Sequence, residues 1–339
     1  MDHILLIGFG GPEKPEDIGP FLRVVAAGRG IPDARLKEVA HHYERIGGRS
    51  PYNESVYRLQ KNLAGSLRSA GRDLPVFLGM RNWNPFLKET LAGIKAKGLK
   101  SGLGVILAPH RSAASCRRYK ENVNEARAAA AAPEIEYRYL EPWHENPLFI
   151  RAQADEVRST LRRLSPEFRN AVHLLFTAHS IPLPMLAECG YCDYAAAFRN
   201  SSELVAKEFS GIPWSLAYQS RSGDPRRPWL EPDVREVLKK IAERGGRAAA
   251  VVPVGFLFDN AEILYDLDVE AKKEAETLGL HYVRAATVGD HPKIVQMFSE
   301  LIENHFHDVT GRNDDDFGIG NGIASKSDGS GQAPQGLLD

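Results

Sequence analysis

Val172-His173-Leu174-Leu175-Phe176-Thr177-Ala178-His179-Ser180-Ile181-Pro182 is the stretch on which the fold turns. Its first seven residues form a nearly unbroken apolar run, the pattern of a strand covered on both faces in a parallel sheet. His179 stands where the run ends, and Pro182 bars a simple entry into helix. Short apolar runs of the same kind recur at 4–9, 76–80, 104–108, 135–140, 215–219, 248–254 and 281–284. Helix-period segments at 36–45, 56–69, 147–164, 233–243 and 261–278 lie among them. Eight strands joined by long crossovers predict an α/β chain of two doubly wound, mostly parallel sheets. The two-proline loop at 141–147 marks a crossing between domains. It leaves an N-terminal domain over 1–141, joined by a C-terminal helix at 290–308, and a C-terminal domain over 142–289. From Gly311 onward, 17 of 29 residues are Gly, Ser, Asp or Asn, so 311–339 reads as a disordered tail unable to bury enough apolar surface to order itself.

The balance of charge excludes some function classes. With 43 basic and 44 acidic side chains the formal charge is -1, so no net field draws the chain to nucleic acid or an anionic bilayer. No run of about eighteen uninterrupted apolar residues predicts a membrane span. The N-terminus has an acid at position two and lacks a basic leader region, and we expect a cytoplasmic protein. Three cysteines, Cys116, Cys189 and Cys192, suit a reducing compartment better than a disulfide scaffold.

Four places carry candidate chemistry. The turn Gly8-Phe9-Gly10-Gly11-Pro12 follows the first strand, yet Pro12 removes a donor, the third spaced glycine of a dinucleotide fingerprint is missing, and Pro15 follows before a helix can start. A tight turn that brings backbone close to a flat ligand or to the other domain fits better. His179 lies at the carboxyl end of a strand, where ligands of open α/β sheets sit; the plain alternative is a ring bonded to a neighbouring carbonyl. Asp259 and Glu262 read as a capping box, which alone would explain Glu262. Glu262, Asp266 and Glu270 nevertheless stack at i, i+4 and i+8, a like-charge spacing that costs a few tenths of a kcal/mol per pair and that a divalent cation would relieve. The loops holding Arg49-Ser50 and Ser220-Arg221, the latter followed by Trp229, combine arginine with hydroxyls in a way that grips carboxylates. Cys189 and Cys192 have metal-pair spacing, but one further thiolate does not complete a four-ligand site, and ordinary free thiols are preferred.

Taken in order, the GGP turn, IGGRSP, GMRNW, FTAHSIP, YQSR with WLEP, and PVGF followed by AEILYDLD resemble the ferrochelatase family over about residues 3–307. GRGIP at 28–32, RNW at 81–83 and SCRRYKEN at 115–122 look closer to its bacterial branch acting on coproporphyrin III than to the branch using protoporphyrin IX. The resemblance implies two Rossmann-like domains with the active-site cleft between them, and insertion of ferrous iron into a porphyrin in haem biosynthesis. It implies a catalytic pair, His179 and Glu262, and an acidic metal line continuing through Asp266 and Glu270. It implies porphyrin contacts at Ser50, Tyr119, Tyr43 and Phe9, with Arg29 and Arg49 facing propionates. Asn260 and Asn84 stand where relatives often have histidine, Phe9 where some have an iron-ligating tyrosine, and alanines 26 and 27 where an arginine is common.

On this reading His179 accepts pyrrole protons or ligates iron as a neutral imidazole from one face of the ring, with Glu262 opposite it. Iron is a substrate, no permanent cofactor and no iron–sulfur cluster are expected, and the partners are the porphyrin and ferrous iron of a monomer. Two other readings remain: a chelatase for another divalent metal and a related tetrapyrrole, or a non-catalytic two-lobed protein that sequesters haem or a metabolite.

Overall fold

A computed structural model describes residues 1–311 apart from Arg29, 189–192 and 222–226. Cys189, Cys192 and the tail beyond 311, expected as free thiols and as a disordered segment, lie outside the described residues. The strands are β1 (His3–Gly8), β2 (Val76–Met80), β3 (Ser101–Ile106), β4 (Glu136–Tyr139), β5 (Val172–His179), β6 (Trp214–Gln219), β7 (Ala248–Val252) and β8 (His281–Arg284). They form two four-stranded sheets of the same order, β2-β1-β3-β4 and β6-β5-β7-β8. Every pairing is parallel. The apolar run at 172–178 is the second strand of its sheet, and Leu174, Leu175 and Phe176 are fully buried.

Each order reverses direction beside its first strand, between β1 and β3 and again between β5 and β7. In open parallel sheets that reversal parts the crossover helices and leaves a crevice at the strands' carboxyl ends. The loops after β1, β3, β5 and β7 are therefore where chemistry belongs. Two of these loops lead into π-helical turns, Ala113–Arg117 after β3 and Ile263–Ala271 after β7, a rare geometry enriched at functional sites.

Three local expectations change. Pro15 does not delay the first helix but opens it, at the N1 position where its missing N–H costs nothing, and the helix runs Pro15–Ala26. The periodic segment at 261–278 is not a single α-helix: Ile263–Ala271 is π and Lys272–Thr277 is α. β7 stops at Val252 because Pro253 cannot donate to the ladder. The last helix, Pro292–Gly311, packs against both Tyr52–Ser69 and Pro147–Arg162, so it touches helices from both halves of the chain. One apolar cluster runs continuously from Ile4 and Leu6 through Phe149 to Leu174, Phe176 and Phe298. Nearer the strand ends, Tyr52 meets Phe258 edge-on at 5.5 Å, and His42 stacks flat on Tyr265 at 3.7 Å. These contacts fix the two sets of carboxyl-end loops against each other.

Candidate active site at the strand switch points

The turn after β1 is stapled from within. The Phe9 N–H donates to the Tyr52 hydroxyl at 3.0 Å and the Gly11 N–H to Asn53 Oδ1 at 3.0 Å. Gly10 sits at φ +88°, with Trp83 backbone 3.0 Å from where a side chain would begin, so residue 10 must be glycine. With those two donors occupied, neither is left to hold a phosphate, in keeping with the tight-turn reading. Phe9 instead faces an aromatic cluster with Phe21, Tyr43 and Trp83.

The end of β5 is held just as closely. The Ser180 hydroxyl donates to the Leu230 carbonyl at 2.9 Å, and Leu230 N–H returns a bond to Ile181 at 3.0 Å, so the Trp229 loop braces the His179 turn. The Tyr194 hydroxyl donates to the His179 carbonyl at 3.0 Å. His179 Nδ1–H donates to the Ser180 carbonyl, which leaves Nε2 to face outward. The loop after β7 lies directly against this turn: Gly255 N–H bonds Thr177 at 3.0 Å, and a β-carbon at 255 would sit 2.6 Å from Ala178 Cα.

That loop brings Glu262 to His179, with Oε1 3.4 Å from Nε2 and the two side chains 29% and 44% exposed. The expected capping box is absent. Asn260 caps the helix, its Oδ1 accepting from Ile263 N–H at 2.9 Å, while Asp259 turns away to Arg284. Glu262 is thus free of any capping duty. Nor do His179 and Glu262 face each other across a ring. A macrocycle between them would need about 7 Å, two van der Waals contacts of about 3.5 Å each, and they stand half that distance apart on one side. The spacing is long for a hydrogen bond. It does match two ligands of one cation, since bonds of about 2.1 Å at a tetrahedral angle place their donor atoms roughly 3.4 Å apart.

Asp266 follows on the same helix and accepts from the Ser220 hydroxyl, on a residue at φ +63°. Glu270, one step further along, is exposed. Burial pushes the Asp266 carboxyl up to about 7, with the Glu262 and Glu270 charges adding to the push and Ser220 and His179 opposing it. Burial pulls His179 down, but the charge and hydrogen bond of Glu262, the Ser180 carbonyl and the Asp266 charge together raise it to about 9. A neutral imidazole is therefore not the resting state at pH 7. The raised histidine favours an imidazolium beside the Glu262 carboxylate, and a cation entering there must displace its proton.

The remaining predicted residues separate. Tyr43 and Tyr119 are each 6% exposed; burial raises both hydroxyls, and Glu262 adds to that push, which places both within its field. Arg81 lies 4.4 Å over the Tyr119 ring and 5.9 Å from the centre of Phe9. The sequence holds Arg81 in the RNW motif without marking a part for it. Ser50 is 5% exposed, packed where Gly11 leaves room, with its hydroxyl accepting from Tyr52 N–H at 3.3 Å. Arg49 is exposed, 3.9 Å from Glu54. Arg29 lies outside the described residues. Tyr194 and Arg284 carried no sequence signal beyond their residue type, while Ser220, read as part of a carboxylate-gripping loop, meets the carboxylate of Asp266.

A family model described as ferrochelatase matches residues 2–306. A Nocardia farcinica protein named coproporphyrin III ferrochelatase is 39% identical over 317 residues, covering 92% of this chain and 90% of its own. One of the same name from Frankia alni is 41% identical over 314 residues, 89% of this chain and 79% of that protein. A ferrochelatase of Rhodopirellula baltica is 38% identical over 305 residues, 89% and 85% of the two chains. Among solved structures, SirB from Bacillus subtilis with Fe3+ superposes with a TM-score of 0.54 at 14% identity over 92% of this chain and 98% of its own, a likeness of fold.

Proposed function

Because the chain belongs to the ferrochelatase family, we propose that it inserts ferrous iron into coproporphyrin III on the path to haem, with His179 and Glu262 as the metal- and proton-handling pair. One observation carries the assignment of the pair: His179 Nε2 and Glu262 Oε1 meet at the switch point between β5 and β7, at the separation of two ligands on one cation. The name shared by the relatives from Nocardia farcinica and Frankia alni supports coproporphyrin III over protoporphyrin IX.

Insertion asks for two pyrrole protons to leave and for iron to shed water. Iron reaches the pair along Glu270 and Asp266, whose carboxylates lead from the exposed helix face to Glu262. Iron entering at the pair sends the His179 Nε2 proton to solvent and takes that lone pair, which is free again only as the metal passes to the ring nitrogens. The same nitrogen and the Glu262 carboxylate then receive the protons lost by the ring. Phe9, Tyr43 and Tyr119, across from Glu262, supply the apolar and aromatic wall for the macrocycle, and Arg49, Arg29 and Ser50 answer its propionates. Iron is consumed as substrate, and the protein needs neither a resident cofactor nor an iron–sulfur cluster. It works as a cytoplasmic monomer. Among the described residues no helix is long and apolar enough to cross a membrane.

Anaerobic insertion kinetics with the two porphyrins test the proposal. The expected result is kcat/KM at least about tenfold higher for coproporphyrin III, as for about 1.4 kcal/mol from paired propionates, and near-complete loss of turnover in His179→Ala with porphyrin binding within a few-fold. Equal use of protoporphyrin IX removes the substrate assignment. A His179→Ala protein retaining a third of wild-type turnover removes the pair.

A further inference from the structure

Five carboxylates crowd the twelve residues from Asp259 to Glu270: Asp259, Glu262, Asp266, Asp268 and Glu270. Three of them form the acidic line toward His179. The other two point the opposite way, onto one guanidinium. Arg284 Nη1 and Nη2 each donate to Asp259 at 3.1 Å, while Nε and Nη2 donate to Asp268 at 2.7 and 2.8 Å. The Arg284 side chain is 13% exposed, so these are charge-assisted pairs largely withdrawn from water, and both are bidentate.

The anchor itself is rigid. Arg284 ends β8, in register with Val251 of β7, and the next residue continues the ladder through Ala285 N–H to Val251 at 2.8 Å. From the same strand the Tyr282 hydroxyl donates to the Leu267 carbonyl at 2.8 Å, inside the π-helix. Asp259 precedes Glu262 by three residues and Asp268 follows it by six. The segment bearing Glu262 and Asp266 is therefore pinned at both ends to one side chain of the sheet. A π-helix is not a geometry that a chain holds through its own backbone preference, and like charges along it push it further from order. Burying an arginine between two aspartates adds little stability in general. Here it fixes a geometry.

We infer that Arg284 is a positioning residue for metal handling: by clamping Asp259 and Asp268 it sets the π-helix so that Glu262 stays within ligating distance of His179. The inference rests on the proposed role of that pair. Lysine cannot replace the arginine, because an ammonium has no planar fork for two carboxylates. A structural role alone would lower stability and leave folded molecules as able to bind metal as before.

The test uses Arg284→Lys, Arg284→Met and Asp268→Asn in the full chain, with Ile241→Val as a control that loosens the buried core of the same half. Co2+ alone, followed by its visible absorption, reports coordination at His179 and Glu262 without porphyrin. Insertion kinetics give KM for metal separately from KM for porphyrin. We expect Arg284→Lys to weaken Co2+ binding and raise the metal KM by about 10-fold or more, the usual effect of losing a residue that orients a ligand, with the porphyrin KM within about twofold. Asp268→Asn, which keeps the Asp259 pair, should lie between it and wild type, and Ile241→Val should change melting alone. Folded Arg284→Lys with Co2+ binding and metal KM within about twofold of wild type would overturn the inference. Where both Arg284 variants fail to fold, Asp268→Asn decides, and wild-type Co2+ binding in it overturns the inference equally. Wild type that inserts no iron, with the Co2+ effect intact, defeats the function and not the clamp.

Discussion

Glu262→Gln isolates the charge that keeps His179 protonated. The substitution keeps the volume of the side chain and removes its carboxylate. In the native protein burial drives the imidazole toward neutrality, and Glu262 is the foremost influence against it, ahead of the Ser180 carbonyl and Asp266. With the histidine at about 9, only about 3% of molecules hold a neutral ring at pH 7.5. Removing the Glu262 charge should lower His179 by at least about one pH unit, toward the 6.5 of a free imidazole, and raise the neutral fraction about tenfold. The assay is a metal-free NMR titration of imidazole-labelled protein, with the His179 signal assigned by its loss in His179→Ala. A midpoint that stays near 9 in Glu262→Gln would refute the argument. Turnover supplies the second arm. If Glu262 merely tuned the histidine, the variant with more neutral imidazole would be the faster enzyme. As a ligand and proton acceptor its loss should instead cost about 10²- to 10⁴-fold. Loss of a helix cap does not confuse the result, because Asn260 and not Glu262 caps the helix.

Two further outcomes rest on the same geometry. The raised His179 contributes stability that is fully present below 6.5 and is lost as pH rises through about 9; the raised Asp266 contributes stability present below 3.8 and lost through about 7. Melting of the metal-free protein should therefore fall from pH 6.5 to 9 more steeply in wild type than in Glu262→Gln, and superimposable curves would contradict the pairing. Gly255→Ala must push the loop after β7 off Ala178, where its β-carbon would lie 2.5 Å from another and 2.6 Å from backbone. We expect a loss of about 1–3 kcal/mol in chemical denaturation together with weaker Co2+ binding, and a variant as stable as wild type would show that the loop is free to move.

The fold was legible because central parallel strands buried on both faces, such as β1, β5 and β7, leave apolar runs that need no partner sequence to interpret, and all eight runs became strands. His179 was legible for the same reason, since the end of a run is a position on the sheet. Glu262 was half legible. Spacing placed it in an acidic line, but capping rules gave it a second explanation, and only the orientation of Asp259 toward Arg284 removes that explanation. Arg284 could not have been found: its partners lie 25 and 16 residues back in the chain, and nothing in a four-residue strand marks its last side chain as an anchor.

The substrate-facing residues mark where residue type stops being informative. Ser50 is a hydroxyl in an arginine-bearing loop, which suits a propionate, yet it is 5% exposed, packed at Gly11 and already accepting from Tyr52 N–H, so only its own O–H is left to donate to one. Tyr119 falls at a porphyrin-contacting position by resemblance, yet one face of its ring is already covered by Arg81, whose Nε donates to Asn122 at 2.6 Å. A loop residue's type says which ligand it can answer; which way it faces is decided by turns such as Gly10-Gly11, whose shape depends on Trp83, far along the chain. The acids after β7 escape that ambiguity because a helix fixes their directions relative to one another. With Asp259 and Asp268 committed to Arg284, Glu262 and Asp266 turn toward β5 and β6, where His179 and Ser220 meet them.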